Sequence, residues 1–222
     1  KSGDMIPTEK EISDSFGISR TTVRQAITEL VQEGWLYRVK SKGTFVSQPK
    51  ITQNFIRKIE SFNDQMYRLG KTPSTEVLEL STMKAMEAGE NVVTALELSE
   101  QDQVIFLHRK RMADGDPIVT VRTFLPYREC EFILNHNFVD EQLYSILSEK
   151  EETMIFRIER TVEAREAKAE DVKLLDMKRG KPIQYFVSTG YNAFGRPIEY
   201  TISRYRGDRS KFEVTVFPEN KS

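Results

Sequence analysis

Two different spacings of apolar residues divide this chain near residue 50. Before that point, Ile12 and Phe16 lie four residues apart, as on one face of a helix. A second series follows at the 3.6-residue period of an amphipathic helix, and it consists of Val23, Ala26, Ile27, Leu30 and Val31. After residue 50, short alternating stretches of strand type separate two or three helices, which predicts an α+β fold.

Residues with strong capping preferences mark the ends of the first two helices. Thr8 can open the first helix, and Glu11, three residues later, completes a capping box. Gly17 suits the left-handed position that ends a helix, and Ser19 can cap the next one. The spacing therefore predicts two helices joined by a tight turn.

Two short strands, residues 35–39 and 44–46, follow these helices and are rich in aromatic and β-branched side chains. The sequence Lys-Ser-Lys-Gly at residues 40–43 joins them. A hairpin tipped with lysines can lie against a narrow and strongly negative DNA groove. Helix, turn, helix and basic hairpin within fifty residues predict a winged helix-turn-helix DNA-binding domain.

The start of the second helix carries the candidate base-reading residues. A recognition helix enters the major groove with its N-terminal residues. Arg20, Thr22 and Arg24 lie there, on the face opposite the apolar series. An arginine can donate two hydrogen bonds to a guanine edge, and a threonine can reach a phosphate or a thymine methyl group.

The distribution of charge supports a DNA-binding module on a larger domain. The 222 residues include 33 Lys and Arg and 34 Asp and Glu, so the net charge of −1 excludes a uniformly basic nucleic-acid binder. Residues 19–50 nevertheless hold six basic and two acidic residues, which is a net charge of +4.

Other classes of protein are disfavoured by what the composition lacks. No apolar run reaches the ~18 residues of a membrane span and no signal peptide is visible, so we expect a cytoplasmic protein with no membrane partner. A single cysteine, Cys130, excludes a disulfide framework. His108 and His136 lie far apart without ligand-spaced partners, so we expect no metal. No phosphate loop or nucleophile elbow occurs in the sequence, so we expect no cofactor and no catalytic residue.

A module of helix, strand, turn and strand occurs twice after residue 50. Residues 112–118 and 191–198 are similar turn segments whose glycines lie 80 residues apart. Two copies in one domain predict a single antiparallel sheet with helices packed against it in pseudo-twofold order. The flanking elements predicted for this domain are helix 85–98, strand 104–112, strand 155–162, helix 170–177, strand 183–191 and strand 212–217.

Alternation along the strand at residues 104–112 places two cations on one face. Arg109 and Arg111 point to the same side of it. Two like charges at this spacing are costly unless they are solvated or matched by an anion, so they suit a phosphate or a carboxylate, with an exposed sheet face as the alternative. Ser61 opens a helix, where its hydroxyl can serve an anion or act only as a cap.

The strand after Pro197 carries a second shared face. Glu199, Thr201, Ser203 and Tyr205 point to one side of it. This face is polar without being strongly charged, so it is a poor core and suits a sugar. A carboxylate accepts hydrogen bonds from hydroxyl groups, and a tyrosine can stack or donate.

The first fifty residues resemble the GntR family of bacterial transcription regulators. The resemblance is carried by residues 7–10, 16–26, 34–37 and 42–46. In this family a further helix normally precedes the segment that begins at Pro7, so we expect the domain here to lack its first helix. The family often has arginine at the position of Lys10 and glycine at the position of Ser41.

This resemblance implies a DNA-binding surface on the winged domain. The family's contacts fall on Lys10, Ser19, Arg20, Thr22, Arg24 and Gly43. We add Thr8, from the same motif as Lys10, and Lys42, at the tip of the basic hairpin. Double-stranded operator DNA is therefore the expected partner.

Scattered motifs between residues 59 and 205 resemble the effector domain of the HutC branch of that family, an α+β domain similar in fold to chorismate lyase. They are residues 59–62, 107–111, 114–117, 124–126, 179–182 and 198–200. Many members carry glutamate where this chain has Val121, which puts one contact to a sugar hydroxyl in question. The resemblance implies an effector site made of Ser61, Phe62, Arg109, Arg111, Glu199 and Tyr205.

The sequence thus predicts a winged helix-turn-helix domain at residues 1–48, a linker at 49–58 and an effector-binding and dimerisation domain at 59–222. The predicted function is that of a homodimeric repressor which a small phosphorylated sugar releases from operator DNA. A non-phosphorylated carboxylate or another metabolite is the alternative effector. A chorismate lyase-type enzyme and a sugar-binding module without DNA function are the alternative classes.

Overall fold

The structure is a computed structural model that describes residues 3–47, 50–53 and 59–214. The chain divides after Ile51 into an N-terminal unit and a C-terminal unit. No helix of the described residues is long and apolar enough to cross a membrane.

Capping side chains start the helices of the N-terminal unit. The Thr8 hydroxyl accepts a hydrogen bond from the Glu11 amide, and the Glu11 carboxylate accepts one from the Thr8 amide, so the predicted capping box is confirmed. Ser19 caps the next helix, and Gly17 ends the first one with a φ of 64°. The two helices are α1, Glu9–Phe16, and α2, Arg20–Gln32.

A two-stranded antiparallel hairpin completes this unit. Strand β1, Leu36–Val39, pairs with strand β2, Gly43–Val46. The turn between them holds Ser41 at a φ of 61°, in the left-handed region that glycine adopts without strain. Because this position requires a positive φ, glycine is the favoured residue there, which explains why glycine is common at the position of Ser41 in the family that this domain resembles. The core of the unit consists of Val23, Ile27 and Leu36.

Helix α1 buries less than its apolar spacing suggests. Ile12 packs against the core, but Phe16 is 74 % exposed and no residue of α1 is fully buried. The four-residue spacing correctly places both side chains on one helical face. The spacing does not show which of the two side chains other residues of the unit will cover.

The C-terminal unit contains longer strands and short helices. Its helices are α3, Phe62–Arg68, α4, Ala85–Ala88, α5, Glu90–Ala95, α6, Tyr127–Cys130, α7, Leu143–Leu147, and α8, Ala169–Leu174. A 3-10 helix, Glu131–Asn135, follows α6. The strands after the hairpin are β3, Ile51–Gln53, β4, Pro73–Lys84, β5, Gln103–Ala113, β6, Asp116–Pro126, β7, Arg157–Glu166, β8, Pro182–Tyr191, β9, Pro197–Arg206, and β10, Ser210–Phe212.

Six of these strands form one antiparallel sheet in the order β4-β5-β6-β9-β8-β7. The segments β4-α4-α5-β5-β6 and β7-α8-β8-β9 each begin with a strand, continue through helix and end in a hairpin. Because β6 and β9 meet at the centre of the sheet, the two segments are arranged in pseudo-twofold order. The repeat and the α+β class predicted from the sequence are both confirmed.

Several boundaries differ from the predicted ones. The helix expected at residues 85–98 is two short helices, because Gly89 interrupts it with a φ of 114°. The sequence pattern does not predict β4, since a bulge between Val77 and Glu79 breaks the alternation of its side chains. The strand expected at residues 155–162 is shifted toward the C-terminus and becomes β7.

The ends of the C-terminal unit also depart from the expectation. Strand β3 lies inside residues 49–58, the segment expected to be a linker, and pairs with β10. Residues 49 and 54–58 lie outside the described residues, as do residues 215–217 of the last predicted strand. The domain boundaries at residues 48 and 59 therefore stay a prediction.

A buried ion pair fixes α8 against the sheet. The Arg204 guanidinium donates from Nε and Nη2 to the two carboxylate oxygens of Asp171, at 2.6 and 2.7 Å. The two side chains are only 9 % and 2 % exposed. Burial alone would raise the pKa of Asp171, but the Arg204 guanidinium holds that pKa below its usual value. Asp171 is therefore ionised at neutral pH, and its bidentate partner orients α8.

Removing one partner of this pair is expected to cost much more than removing a partner of an exposed pair. Asp171→Ala leaves the Arg204 guanidinium buried without its anion, which lowers the free energy of unfolding by about 3–5 kcal/mol. Glu163→Ala is the control, because its ion pair with Arg165 is half exposed and such pairs contribute about 0–1 kcal/mol. Urea titration measures both losses, and equal losses would contradict this role.

The same pair predicts a direction for the pH dependence of stability. The folded-state pKa of Asp171 is lowered, so its contribution is complete above the unfolded-state value of about 3.9 and is lost as the pH falls through the folded-state pKa. Asp171→Asn should remove this part of the acid dependence.

Candidate functional site

The eight residues predicted to contact DNA all lie exposed on the N-terminal unit. The hydroxyl groups of two of them already serve as helix caps, since Thr8 accepts from the Glu11 amide and Ser19 from the Thr22 amide. The exposed set consists of Thr8, Lys10, Ser19, Arg20, Thr22, Arg24, Lys42 and Gly43. The structure thus presents cations beside the N-terminus of α2 and a cation at the hairpin tip, as a winged domain requires.

Glu9 is an acidic residue within this basic surface that sequence reasoning missed. Its carboxylate accepts a hydrogen bond from Arg24 Nε at 3.0 Å and lies 3.9 Å from Arg38. The hydrogen bond from Arg24 lowers the pKa of Glu9, so the carboxylate is ionised at neutral pH. Such an exposed pair is weak enough to exchange for a contact with DNA, while it orients the arginine beforehand.

Arg24→Ala and Lys42→Ala are expected to change DNA binding in different ways. Arg24, at the start of α2, should account for about 1–3 kcal/mol of discrimination at one base position. Lys42, at the hairpin tip, should weaken binding to every sequence and lower the salt slope by about 1. The measurement is a salt series with a duplex selected from a random pool and with its scrambled version.

Lys178→Ala provides the control for that experiment, because Lys178 is an exposed lysine of the C-terminal unit. Its substitution should leave both duplexes bound as before. If Arg24→Ala weakened binding to the two duplexes equally, Arg24 would contact phosphate rather than a base.

A cavity of about 110 Å³ lies within the C-terminal unit, on one face of the sheet. It is lined by the N-terminal part of α3, by residues around the start of α7, and by strands β5 to β9. All six residues predicted to bind the effector line it, namely Ser61, Phe62, Arg109, Arg111, Glu199 and Tyr205. The structure therefore brings the whole predicted set together.

Strand register explains why the arginines and the β9 residues meet. Arg109 on β5 faces Val121 on β6, and Arg111 faces Val119, which in turn faces Tyr205 on β9. Side chains that face each other across adjacent strands lie on the same side of a sheet. The two shared faces found in the sequence are therefore one continuous floor.

The two arginines form a positively charged end of the cavity. Arg109 is 5 % exposed, while Arg111 donates to Asn63 Oδ1 at 2.6 Å and lies 4.6 Å from the centre of the Phe62 ring. Within the described part of the chain, no group accepts a hydrogen bond from the buried Nε of either arginine. Burial, and then the neighbouring Arg109 charge, lowers the pKa of Arg111 to about 9, so it is still cationic at pH 7.

Ser61 lies beside this end as the cap of α3. Its hydroxyl accepts a hydrogen bond from the Asp64 amide at 3.1 Å and lies 2.7 Å from Asp64 Oδ2, to which it donates. The capping alternative considered for Ser61 is thus present, and the same side chain also lines the cavity.

The opposite end of the cavity is built around Glu199. Its carboxylate accepts hydrogen bonds from the Tyr144 hydroxyl at 2.8 Å and the Thr201 hydroxyl at 2.6 Å. Gly190 faces Glu199 across strands β8 and β9, and a Cβ atom there would come within 3.3 Å of Glu199 Oε2. A glycine inside this strand therefore makes room for the carboxylate. Burial, and then the negative charge of Glu199, raises the pKa of Tyr144 well above its usual value, so Tyr144 keeps its proton.

The cavity also contains Gln65, Tyr144 and Arg160, which sequence reasoning missed. Arg160 on β7 donates from Nε to the Ser188 hydroxyl at 2.8 Å, and no described group bonds to the buried Nε2 of Gln65. Alternation in the sequence puts Arg160 on the same face as Ile158, but it does not show that β7 lies beside β8. Gln65 and Tyr144 lie on short helices without a recognisable motif.

Neighbouring residues on β6 point to opposite sides of the sheet. Val121 lines the cavity, whereas Arg122 pairs with Glu170 at 2.5 Å on the other side. Arg122 is therefore not part of the cavity lining. The cavity therefore has an apolar surface at Val121, where glutamate is common in the branch that this domain resembles.

Metal-binding side chains do not cluster in residues 3–47, 50–53 and 59–214. No cluster of three or more His, Cys, Asp or Glu side chains there could hold a metal ion. Cys130 is fully buried, and burial raises its pKa to about 12, so it is a thiol rather than a nucleophilic thiolate.

Both units match known protein families. Residues 1–46 match the gntR family of bacterial regulatory proteins, and residues 68–211 match the UTRA domain. The chain belongs to the GntR family and carries a UTRA domain. Its winged surface is therefore the DNA-binding part of a GntR regulator, and its cavity lies in the UTRA domain.

Individual relatives of this GntR protein cover nearly its whole length. The HTH-type transcriptional repressor NagR of Bacillus subtilis (strain 168) is 31 % identical over 207 residues, which are 93 % of this chain and 83 % of NagR. The mannosyl-D-glycerate transport/metabolism system repressor MngR of Escherichia coli (strain K12) is 28 % identical over 222 residues, an alignment that covers 100 % of this chain and 90 % of MngR.

A solved structure has the same architecture. The crystal structure of PhnF from Mycobacterium smegmatis aligns with a TM-score of 0.76 and 25 % identity, over 99 % of this chain and 94 % of PhnF. The fold and the predicted class are therefore confirmed: this GntR protein is a ligand-responsive transcriptional repressor of the HutC type.

Proposed function

We propose that this GntR regulator binds operator DNA as a homodimer in the cytoplasm and is released by a small phosphorylated sugar bound in the UTRA cavity. The observation that carries the proposal is one cavity with two arginines at one end, the buried Arg109 and the half-buried Arg111, and the Glu199 carboxylate at the other. Two relatives support a sugar derivative, because their names refer to mannosyl-D-glycerate and, for a probable repressor of Escherichia coli at 24 % identity, to fructoselysine.

The charge of the cavity favours a phosphate over a single carboxylate. Arg109 and Arg111 supply two adjacent positive charges at one end of the cavity, and no described group accepts a hydrogen bond from the buried Nε of either. Glu60 also lines the cavity, but an arginine outside the cavity neutralises it through an ion pair of 2.8 Å. These two positive charges match a phosphate monoester, which carries about −1.5 to −2 at pH 7. A carboxylate such as the alternative effector supplies only one charge.

The Glu199 end suits the hydroxyl groups of a sugar. An ionised carboxylate offers about four acceptor positions, and Tyr144 and Thr201 occupy two of those of Glu199. Tyr205 lies at the arginine end instead, because it faces Val119, which faces Arg111; burial raises the pKa of Tyr205 to about 12, so it is protonated at pH 7. Val121 supplies apolar surface for the C–H face of a ring between these ends.

Arg109→Ala and Glu199→Ala are expected to affect different parts of the ligand. Losing the Arg109 guanidinium should weaken binding of a hexose 6-phosphate by about 1.5–3 kcal/mol, the range for hydrogen bonds to charged groups. Glu199→Ala should mainly reduce discrimination among the epimeric hexose 6-phosphates. Calorimetry with two epimeric hexose 6-phosphates, the free sugars and inorganic phosphate measures both effects.

Lys110→Ala is the matched control, because Lys110 is the next residue on β5 and is not part of the cavity lining, and it forms an ion pair with Glu76. It should leave all of these affinities unchanged. If the free sugar bound as tightly as its phosphate and ignored Arg109→Ala, the arginines would not form an anion site.

Release from DNA requires coupling between the two ligands. If a sugar phosphate lowers the affinity for operator DNA by a factor, DNA must lower the affinity for the sugar phosphate by the same factor. Such coupling is typically about 1–3 kcal/mol. A homodimer would match two winged domains to a palindromic site, because the twofold symmetry of protein and operator correspond.

The proposed dimer is expected to form through the UTRA domain. Analytical sedimentation of the full chain and of residues 59–222 should show dimers of both at micromolar concentration. A fragment that sediments only as a monomer while the full chain is dimeric would move the interface to the N-terminal unit. A monomeric full chain would contradict the dimer.

A further inference from the structure

We propose that the effector of this protein is longer than one phosphorylated sugar, and that an open groove beside the cavity binds its second unit, an uncharged group rich in hydroxyls such as another sugar ring. This inference rests on the proposed function and specifies its ligand. The groove has a volume of about 230 Å³ and runs between the start of α3, α7 and the segment that precedes β7.

The groove is continuous with the cavity. Ile59, Ser61, Gln142 and Tyr144 line both of them. Tyr144 at this boundary donates its hydrogen bond to Glu199, while Ser61, also at the boundary, lies beside the arginine end. The groove therefore runs along the side of the cavity between its two ends, and a substituent on the ring bound near Tyr144 would enter it.

The two volumes assign different parts of a ligand to the cavity and the groove. A water molecule needs about 10–15 Å³ of such space. The cavity of about 110 Å³ then accommodates one compact unit, and the groove of about 230 Å³ accommodates a further unit of at least the same size. The groove is the more open of the two, since Ser145, Ser148 and Met154 are exposed on it.

The polar groups of the groove are suited to a neutral partner. Gln142, Ser145 and Ser148 offer amide and hydroxyl groups that both donate and accept. Asp64 is the one charged residue among the described residues of the groove, and its carboxylate accepts a hydrogen bond from Ser61 at 2.7 Å. A second anion would therefore meet a negative charge and no cation, in contrast to the cavity.

Apolar side chains complete the groove on its other side. Ile59 and Met154 are each 39 % exposed there, and Ile155 lies beside them, so the three side chains form a small apolar surface. A sugar ring presents a C–H face as well as hydroxyls, so it can cover these side chains while its hydroxyls reach the serines. A polar group without such a face, for example a second phosphate, could not.

The test compares ligands of one and two units on the full chain. Calorimetry would use glucose 6-phosphate, galactose 6-phosphate and a panel of disaccharides with α and β linkages that carry the phosphate on the non-reducing ring. At least one disaccharide phosphate should bind about tenfold tighter than the hexose phosphate of its own ring, a gain of about 1.4 kcal/mol. The unphosphorylated disaccharide should bind far more weakly.

A bulky substitution in the groove separates this gain from binding in the cavity. Ser145 lines the groove but not the cavity and is exposed, so Ser145→Phe should abolish the tenfold gain and leave the affinity for the hexose phosphate unchanged. Glu149→Phe adds the same ring at an exposed position outside the groove and should retain the gain.

The outcomes distinguish this inference from the function on which it rests. If hexose phosphates bind and no disaccharide phosphate exceeds them, or if the gain survives Ser145→Phe, the groove is not a second subsite although the cavity assignment stands. If neither the hexose phosphates nor the disaccharide phosphates bind, both proposals are overturned.

Discussion

Two arginines on one strand face must be kept charged in the interior of the UTRA domain, and the arrangement of the site follows from this constraint. Arg109 and Arg111 repel each other, and burial removes most of the water that would solvate them. Phe62, Asn63 and the more distant Glu199 offset only part of this cost. The anionic effector proposed above would supply the missing charge, and the uncompensated part of this cost is what its binding would recover.

Alternation within single strands placed the polar pairs of this site on shared faces, and the resemblance to the HutC branch selected them as the effector site. Side chains of a regular strand alternate between its two faces, so Arg109 shares a face with Arg111 and Glu199 shares a face with Tyr205. The register that joins the pairs depends on long-range pairing of β5, β6 and β9 and has no local signal. Arg160 could not be assigned for the same reason, because the neighbour of β7 is decided by the fold of the whole sheet.

Local irregularities account for the other differences between sequence and structure. The bulge in β4 hides a strand, and Gly89 divides a predicted helix, since in each case one residue shifts the period of the pattern. Capping residues were the most dependable local signals. Thr8, Ser19 and Ser61 each cap the helix expected of them, because a cap is a contact within four residues and needs no tertiary context.

The two faces of strand β9 make different contacts. Glu199, Thr201, Ser203 and Tyr205 line the cavity, whereas Tyr200 and Arg204, which alternate with them, pack against the helices and hold α8. A replacement in the first set changes the lining of the cavity, while the contacts on the other face stay in place. The shape and polarity of the cavity can therefore be altered from one strand without loss of the scaffold.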